Sequence, residues 1–444
     1  MSEARASTTA ASPPTTWRTW GGTVTAQPTA VHTPASTAEV VDLVRGALER
    51  GERLRPVGSG HSFTPIAEPI DAHVRLDLMC GILAADLAAG SVTVAAGTPL
   101  HELSPALERI GLGMVNLGDI DRQSISGAVS TGTHGTGAGL TGLAGAVRGL
   151  TFVAGDGTVH RVHRDRDPDL VSLLAVGLGA YGIVTELELD VLPAYRLHAV
   201  ERPEPLAAVL DDAEEIAAAH RHFEFYWFPH TDRVLTKRND PAEDGAGTPL
   251  PRWREHLDDH LLSNVLFEGL NRLVTRLPGL APRINQVSAR ALSRREFTDA
   301  SHRVFCTRRE VRFVESEYAI PRASLAPVLR ELDAWIERSG EHIAFPVEVR
   351  FAAADDVALS TAYRRDSAYV AIHQYHRRHM SRYLAAFEAI VAEHDGRPHW
   401  GKLHTLDAER LGRLYPRLAD ARALRERLDP AGVFSNDYLD RVLG

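Results

Sequence analysis

The amino-acid sequence predicts an α+β protein of two domains, and three observations carry that expectation. Helix-like and strand-like segments alternate from Ser36 onward. The stretch "GIVTELELDVL" then sets Ile183, Thr185, Leu187, Leu189 and Val191 against Val184, Glu186, Glu188 and Asp190. That two-residue period belongs to a strand with one wet face. After Pro193 the texture changes to longer helices and aromatic strands.

The elements follow in order. Ser36, with Glu39 three residues on, has capping-box spacing and opens an amphipathic helix, "TAEVVDLVRGALER", that stops at Gly51. A strand follows over residues 53–57, and "HVRLDLM" and "SVTVAAG" read as further strands. "PLHELSPALERIG" is a helix ended by Gly111, and "GLTFVAGDGTVHRV" a hairpin turned at Asp156–Gly157. Beyond Pro193, "HFEFYWFPHTDRVLTK", "HIAFPVEVRFAA" and "AYVAIHQYH" are strand-like, while residues 239–300 read as a loop followed by helical segments. Past Gly396 come two short helices and a polar tail, "DPAGVFSNDYL", and no internal repeat is present.

Composition removes several functional classes. At 444 residues, with 44% hydrophobic and 24% charged side chains, the chain can bury large cores and is not a disordered polymer. A net charge of -9 without any basic run excludes the footprint of a nucleic-acid binder. Cys80 and Cys306 are too few for a disulfide framework or a cysteine-rich metal site. No apolar run approaches the roughly 20 residues that span a bilayer. The first sixteen residues, "MSEARASTTAASPPTT", lack the apolar centre of a signal peptide and read as a disordered tail. A cytoplasmic location follows, with peripheral attachment to a membrane as the alternative. Only two of the 49 basic residues are lysines, Lys237 and Lys402. Lys237, beside Arg238 at an expected strand end, looks dispensable; Lys402, in "HWGK", suggests a need for a compact point charge.

Four stretches carry chemistry. In "RPVGSGHSF" a strand meets Gly58 and Gly60, but Phe63 stands where a dinucleotide fingerprint has its third glycine, and His61 sits at the tip of the turn. "NLGDIDRQSISGAVSTGTHGTG", residues 116–137, is rich in glycine, serine and threonine and has little hydrophobic periodicity. It reads as a long irregular segment whose free N–H groups suit a pyrophosphate, the alternative being an ordinary surface loop. "FPVEVRF" places Val347, Val349 and Phe351 on one strand face and Glu348 and Arg350 on the other. Such a pair orients a polyol or is merely a solvent-facing ion pair. "IHQYHRRH" offers His373, His376 and His379, but the segment passes from strand to helix, so the rings do not converge and no metal is expected. Neither a GxxxxGK[ST] phosphate loop nor a G-x-S-x-G elbow is present.

Taken in order, "VGSGHSF", "NLGDIDRQSISGAVSTGTHGTG", "FPVEVRF", "RPHWGK" and "LDPAGVFSNDYL" resemble the aldonolactone oxidoreductases of the vanillyl-alcohol oxidase flavoprotein superfamily. These include L-gulono-1,4-lactone oxidases and dehydrogenases and D-arabinono-1,4-lactone oxidases. The resemblance runs from about Trp17 to the C-terminus. It implies a two-lobed FAD-binding domain over residues 17–193, a cap domain over 194–395 with an antiparallel sheet over the flavin, and a segment, 396–444, that returns to the first domain.

The resemblance also implies site residues. His61 matches a histidine that bonds the 8α-methyl of FAD covalently, a non-covalent flavin being the alternative. Val57, Gly58, Ser59, Gly60 and Ser62 of the first loop, and Ser124, Gly127, Thr131, Thr133, His134 and Gly135 of the second, are implied FAD contacts, with Ile183 and His399. Glu348, Arg350 and Lys402 match substrate-binding and catalytic residues, and His373 is a further candidate, as proton acceptor. Where alditol oxidases have a serine and a threonine on the polyol, this chain has Ala128 and Tyr375, which leans toward a lactone with Tyr375 at the substrate. The implied reaction oxidises the C2 hydroxyl of an aldono-1,4-lactone, hydride to flavin N5, toward an ascorbate-type product. The rival is an alditol or xylitol oxidase on the same fold, and the third reading is a flavin-binding protein without sugar chemistry. Oxygen or a protein such as cytochrome c would take the electrons.

Overall fold

The structure, a computed structural model, describes residues 16–243, 248–251, 264, 266–306 and 310–444. The expected tail at residues 1–16 lies, apart from Thr16, outside the described residues. So does part of the 239–300 segment.

The first region opens on a small hairpin, β1 (Trp17–Arg18) and β2 (Thr25–Ala26). Strands β3 (Ala30–His32), β4 (Leu54–Val57) and β5 (Ala72–Arg75) form a parallel sheet in the order β3-β5-β4. Helix α1 (Thr37–Arg50) makes the crossover between β3 and β4. Its start is the reciprocal cap that the sequence encodes: Ser36 Oγ accepts from Glu39 N at 3.2 Å, while the Glu39 carboxylate accepts from Ala35 N at 3.0 Å. Gly51 ends it at φ 65°, and Val40, Val44 and Ala47 make its buried face. The consequence for function is that β4 delivers the first glycine loop at its C-terminal end.

A second, antiparallel sheet contains β6 (Ile82–Asp86), β7 (Ser91–Ala95), β8 (Leu112–Met114), β9 (Val147–Val153), β10 (Val159–His163) and β11 (Ile183–Pro193). The order is β10-β9-β11-β7-β6, with β8 pairing β11. Along β11 every second residue from Ile183 to Val191 is buried, as its alternation predicts. Helices α2 (Leu100–Arg109), α3 (Ile125–Ser130) and α4 (Pro168–Ala175) belong to the same region. Helix α3 corrects the expectation of a wholly irregular segment at 116–137. Its apolar residues Ile125, Ala128 and Val129 fall at i, i+3 and i+4 and are buried, a period too short to register among the flanking glycines.

The third sheet has eight antiparallel strands: β12 (Arg196–Pro205), β13 (His222–Trp227), β14 (Arg233–Pro241), β15 (Arg295–Ala300), β16 (Phe313–Pro321), β17 (Val347–Ala352), β18 (Ser367–Tyr375) and β19 (Arg397–Pro398). Their order is β15-β12-β14-β13-β17-β18-β16-β19. Strand β15 lies at the end of the stretch read as loop and helices. Polar and charged residues dominate it, so its pairing with β12 supplies what its own pattern does not.

The chain then returns to the first region. Phe63 N donates to Gly401 O at 2.7 Å, Thr64 Oγ1 to Trp400 O at 2.9 Å, and Leu54 N to Val433 O at 2.7 Å. Arg397 and Pro398 pair with β16, and the bonds to the first region follow at Trp400 and Gly401. One apolar cluster runs through both regions, from Val40 and Phe63 to Phe313, Trp400 and Phe434.

Candidate active site

Two adjoining cavities meet at His61, Ser62, Gln123 and Thr131. The larger, about 400 Å³, lies in the first region between the two glycine loops. Its walls approach closely because side chains are missing. A Cβ on Gly58 would stand 2.5 Å from Ser124 Oγ, and Gly60 holds φ +70°. Gly135 lines neither cavity, but a Cβ there would meet Leu117 O at 2.2 Å and Asn116 Oδ1 at 2.3 Å, so it allows the second loop to fold on itself.

The larger cavity is rich in unspent donors. Ser124 Oγ and the Tyr181 hydroxyl are buried in its wall and have no hydrogen-bond partner among the described residues. Such orphans cost about 1–3 kcal/mol each, which a bound acceptor would relieve. Arg55, 2% exposed, donates to the carbonyls of Ile66 (2.6 Å), Leu178 (2.5 Å), Gly179 (2.9 Å) and Phe434 (2.9 Å). No carboxylate pairs with it among the described residues, and burial lowers its pKa to about 9. Leu178 itself is held at φ 55°, in the left-handed region. Orphaned hydroxyls, a buried cation without a directly bonded carboxylate among the described residues and glycine-lined loops fit a pyrophosphate-bearing cofactor, and FAD is the group these residues would hold. Val57, Gly58, Ser59, Gly60, Ser124, Gly127 and Ile183 all line this cavity.

The smaller cavity, about 80 Å³, lies where both loops face the eight-stranded sheet. Alternate residues of β16, Phe313, Glu315 and Glu317, project into it. Glu348 and Arg350 enter from β17, His373 from β18, and His399, Gly401 and Lys402 from the returning tail. Thr133 and His134 close it from the second glycine loop. His61 stands between the two cavities, its ring stacked on Trp20 with centroids 5.7 Å apart. Burial, then Lys402 and Arg122, lowers the pKa of His61 to about 4, so the imidazole is neutral at pH 7.

A charge network fixes the far wall. Arg350 Nη2 lies 2.5 Å from Glu348 Oε1, and Arg350 Nε donates to Glu224 Oε2 at 3.1 Å. The Tyr226 hydroxyl donates to Glu348 Oε1 at 2.9 Å. Glu348 is 8% exposed, so the pair is not the solvent-facing salt bridge that strand alternation alone allows. Glu224 reaches on to Lys237 at 3.4 Å, and that ammonium lies 5.0 Å from the Tyr226 ring. Lys237 is therefore mid-strand in β14 and engaged, contrary to its expected position at a dispensable strand end. On the other side Lys402 bonds Glu315, and His134 Nε2 lies 3.2 Å from Glu317 Oε1. Burial works against the Glu317 carboxylate, yet the nearby His134, Lys402 and His399 hold its pKa well below the usual range. Burial drives the pKa of His399 down to about 3, leaving its neutral Nδ1 to accept from Gly401 N at 3.0 Å.

Tyr375 is not brought to the site. It lines neither cavity, and its hydroxyl donates at 2.7 Å to Glu268 on the helix Phe267–Arg276. The reason is position along β18: Tyr375 is the strand's last residue, two beyond His373, which carries it about 7 Å further toward that helix. His376 follows in the turn, and of the three histidines only His373 lines the cavity. Sequence reasoning missed Arg55, Tyr181, Glu315 and Glu317. For the last two a signal exists: "FVESEYAIP" sets two carboxylates two residues apart in a strand that, Ser316 aside, is apolar and aromatic.

Comparison with known proteins agrees with this geometry. A family model described as D-arabinono-1,4-lactone oxidase matches residues 187–442, and an FAD-binding domain model matches residues 28–163. The L-gulono-1,4-lactone dehydrogenase of Mycobacterium tuberculosis is 39% identical over 432 residues, covering 96% of this chain and 99% of that one. The chain belongs to this family of FAD-dependent lactone oxidoreductases. The bovine L-gulonolactone oxidase is 32% identical over 435 residues, 96% of this chain and 98% of its own. The alditol oxidase of a Streptomyces species is 31% identical over 450 residues, 96% and 98% of the two chains. Among solved structures, cholesterol oxidase from B. sterolicum superposes with a TM-score of 0.79 at 18% identity, covering 97% of this chain and 96% of that one. That likeness shows the fold: a lactone oxidoreductase chain built as an FAD-binding region and an antiparallel sheet.

Proposed function

We propose that the protein oxidises the hydroxyl-bearing C2 of an aldono-1,4-lactone of the L-gulono or D-arabinono type, giving a 2-keto lactone that enolises to an ascorbate-type product. The observation that carries the reading is the buried Glu348–Arg350 pair, held from behind by Glu224 and Tyr226 and placed in one cavity with Lys402, His373 and His61. A guanidinium fixed by two carboxylates is a rigid fork, suited to grip lactone and hydroxyl oxygens. FAD, when bound, supplies the two-electron acceptor for the C2 hydrogen.

The protein's own groups manage the proton. His373 Nδ1 lies 3.1 Å from Pro346 O, and since a carbonyl only accepts, Nδ1 carries the hydrogen. The Nε2 side of the ring, which lines the smaller cavity, is the acceptor for the C2 hydroxyl proton. Glu315 Oε1 at 3.7 Å and Glu348 Oε2 at 3.9 Å stabilise the imidazolium that results. Lys402 supplies a preorganised cation beside the reacting carbon. Neutral His61, at the junction of the cavities, is the nucleophile through which we attach FAD covalently, and its neutrality at pH 7 supports that role. We assign residues 17–193 and 396–444 to the FAD-binding domain and 194–395 to the cap. Oxygen or a protein electron acceptor completes the cycle in a cytoplasmic setting. Among the described residues no helix is long and apolar enough to cross a membrane.

Anaerobic mixing with a panel of aldono-1,4-lactones and alditols tests the reading. Lactones should bleach the flavin absorbance and alditols should not. Bleaching by alditols alone would move the assignment to a polyol oxidase, and bleaching by neither would remove sugar chemistry.

A further inference from the structure

The ring of His61 makes no hydrogen bond among the described residues. What holds it is a stack on the Trp20 indole, with centroids 5.7 Å apart and planes inclined by 23°. The backbone on either side is pinned independently: Gly60, at φ +70°, accepts through its carbonyl from Trp20 N at 2.8 Å, and Phe63 N donates to Gly401 O at 2.7 Å. Neither bond sets the side-chain torsions of His61, which packing against the ring must do. Trp20 is itself braced. Its ring meets Phe313 of β16 edge-on at 5.1 Å and Phe63 at 6.4 Å. The hairpin that carries it is closed by Thr19, whose N donates to Val24 O at 3.1 Å and whose Oγ1 accepts from Val24 N at 3.2 Å, and it turns at Gly22, φ +74°. Gly21 lets this hairpin settle on the loop, since a Cβ there would stand 2.7 Å from the Phe63 ring. An aromatic face attracts a cation and so favours protonated imidazole. Burial, Lys402 and Arg122 nevertheless lower the pKa of His61, so the stack does not serve to charge the ring. Its effect is to choose an orientation.

We propose that Trp20 is a positioning residue for flavin attachment: its indole holds the His61 ring in the orientation that presents a nitrogen to the 8α-methyl of bound FAD. The proposal rests on the covalent-attachment reading above. Attachment joins an imidazole nitrogen to the 8α carbon. One methyl C–H bond and the imidazole N–H bond break, both hydrogens leave as protons, and the electron pair left behind stays on the flavin until dioxygen takes it, with two protons, as hydrogen peroxide. Such a bond forms only when nitrogen and carbon are close and aligned, so a ring that swings attaches slowly even with FAD in place.

The test reads the ratio of covalent to total flavin, which needs no lactone. Absorbance of the native protein gives total flavin, and fluorescence in a denaturing gel gives the covalent part. Trp20→Leu removes the flat face but keeps an apolar side chain; the covalent fraction should fall about tenfold while total flavin stays near the wild-type content. Trp20→Phe, which retains a ring, should keep most of the attachment. Gly21→Ala displaces the hairpin without altering either ring of the stack, should also lower the fraction, and decides the matter if Trp20→Leu fails to fold. A purely structural Trp20, one that only closes the hairpin on the glycine loop, would lose covalent and total flavin together. That parallel loss, an unchanged covalent fraction in Trp20→Leu, or a phenylalanine variant no better than the leucine one would overturn the proposal. If the wild type carries no covalent flavin, the attachment reading fails and the role of Trp20 goes with it; a covalent wild type beside an equally covalent Trp20→Leu strikes Trp20 alone.

Discussion

Gly58 and Ser124 face one another so closely that a Cβ on the glycine would lie 2.5 Å from the serine Oγ, and that Oγ is buried without a partner among the described residues. The contact joins the two glycine loops at the wall of the larger cavity. Gly58→Ala should push the loops apart and yield protein that purifies without flavin. Ser124→Ala should act with opposite signs in two states. In a flavin-free His61→Ala background it removes an unsatisfied hydroxyl and should raise stability by about 1 kcal/mol; in the flavin-loaded protein it should weaken cofactor retention. Thermal melts with and without added FAD read both, and a loss of stability in both states would mean that Ser124 is only a packing residue.

His61 is neutral at pH 7 because burial, Lys402 and Arg122 disfavour its charged form, and a neutral imidazole nitrogen is the nucleophile that attachment requires. Wild-type protein should carry flavin fluorescence through a denaturing gel and His61→Ala should not. An absent wild-type band would leave FAD held by the loops alone.

Local signals made much of this fold legible. Ser36 and Glu39 announce α1, and the alternation along residues 183–193 announces β11, because both rules act within a few residues. Strand β15 stayed hidden because its partner β12 lies about a hundred residues away and its own residues are polar. The site divides the same way. Glycine loops and the Glu348–Arg350 alternation are visible in one dimension. Glu224, Tyr226 and Lys237, which hold Arg350 from behind, come from β13 and β14, and only sheet order brings them there. Tyr375 shows the converse: a position matched by motif spacing still missed the cavity, because the strand's end turns its hydroxyl to Glu268.

Buried neutral histidines should make the protein acid-labile. Burial lowers the pKa of His222 to about 4 and those of His399 and His404 to about 3, from ordinary values of 6.5. As pH falls below 6.5 the unfolded chain takes up these protons while the folded chain does not, so stability is full above that pH and declines toward 4. Three protons correspond to a slope of about 4 kcal/mol per pH unit once the unfolded sites are charged. Urea denaturation at pH 7, 6 and 5 should show the midpoint falling steeply, and His404→Phe should remove about one proton from the slope. A midpoint that stays flat from pH 7 to 5 would contradict burial of these rings in the neutral form.

The last prediction separates Arg350 from the lysine behind it. Arg350 uses Nε on Glu224 and Nη2 on Glu348, two directions that a single ammonium cannot serve together. Arg350→Lys should therefore lower kcat/KM with lactone by about a hundredfold or more, the scale of losing a preorganised charge contact worth about 2.7–4 kcal/mol, while leaving the flavin spectrum intact. Lys237 touches neither cavity, but it shares Glu224 with Arg350 and rests on the Tyr226 ring. Lys237→Met leaves Glu224 with Arg350 as its one cationic partner among the described residues, beside the Tyr226 hydroxyl at 3.2 Å, which draws the guanidinium toward the rear of the wall. A smaller loss, about tenfold or 1.4 kcal/mol, should follow, again without loss of flavin. Steady-state kinetics of the two variants and their double mutant check the coupling. If the two act through one network, the double mutant should be little worse than Arg350→Lys; multiplicative losses would show that Lys237 acts by a separate route.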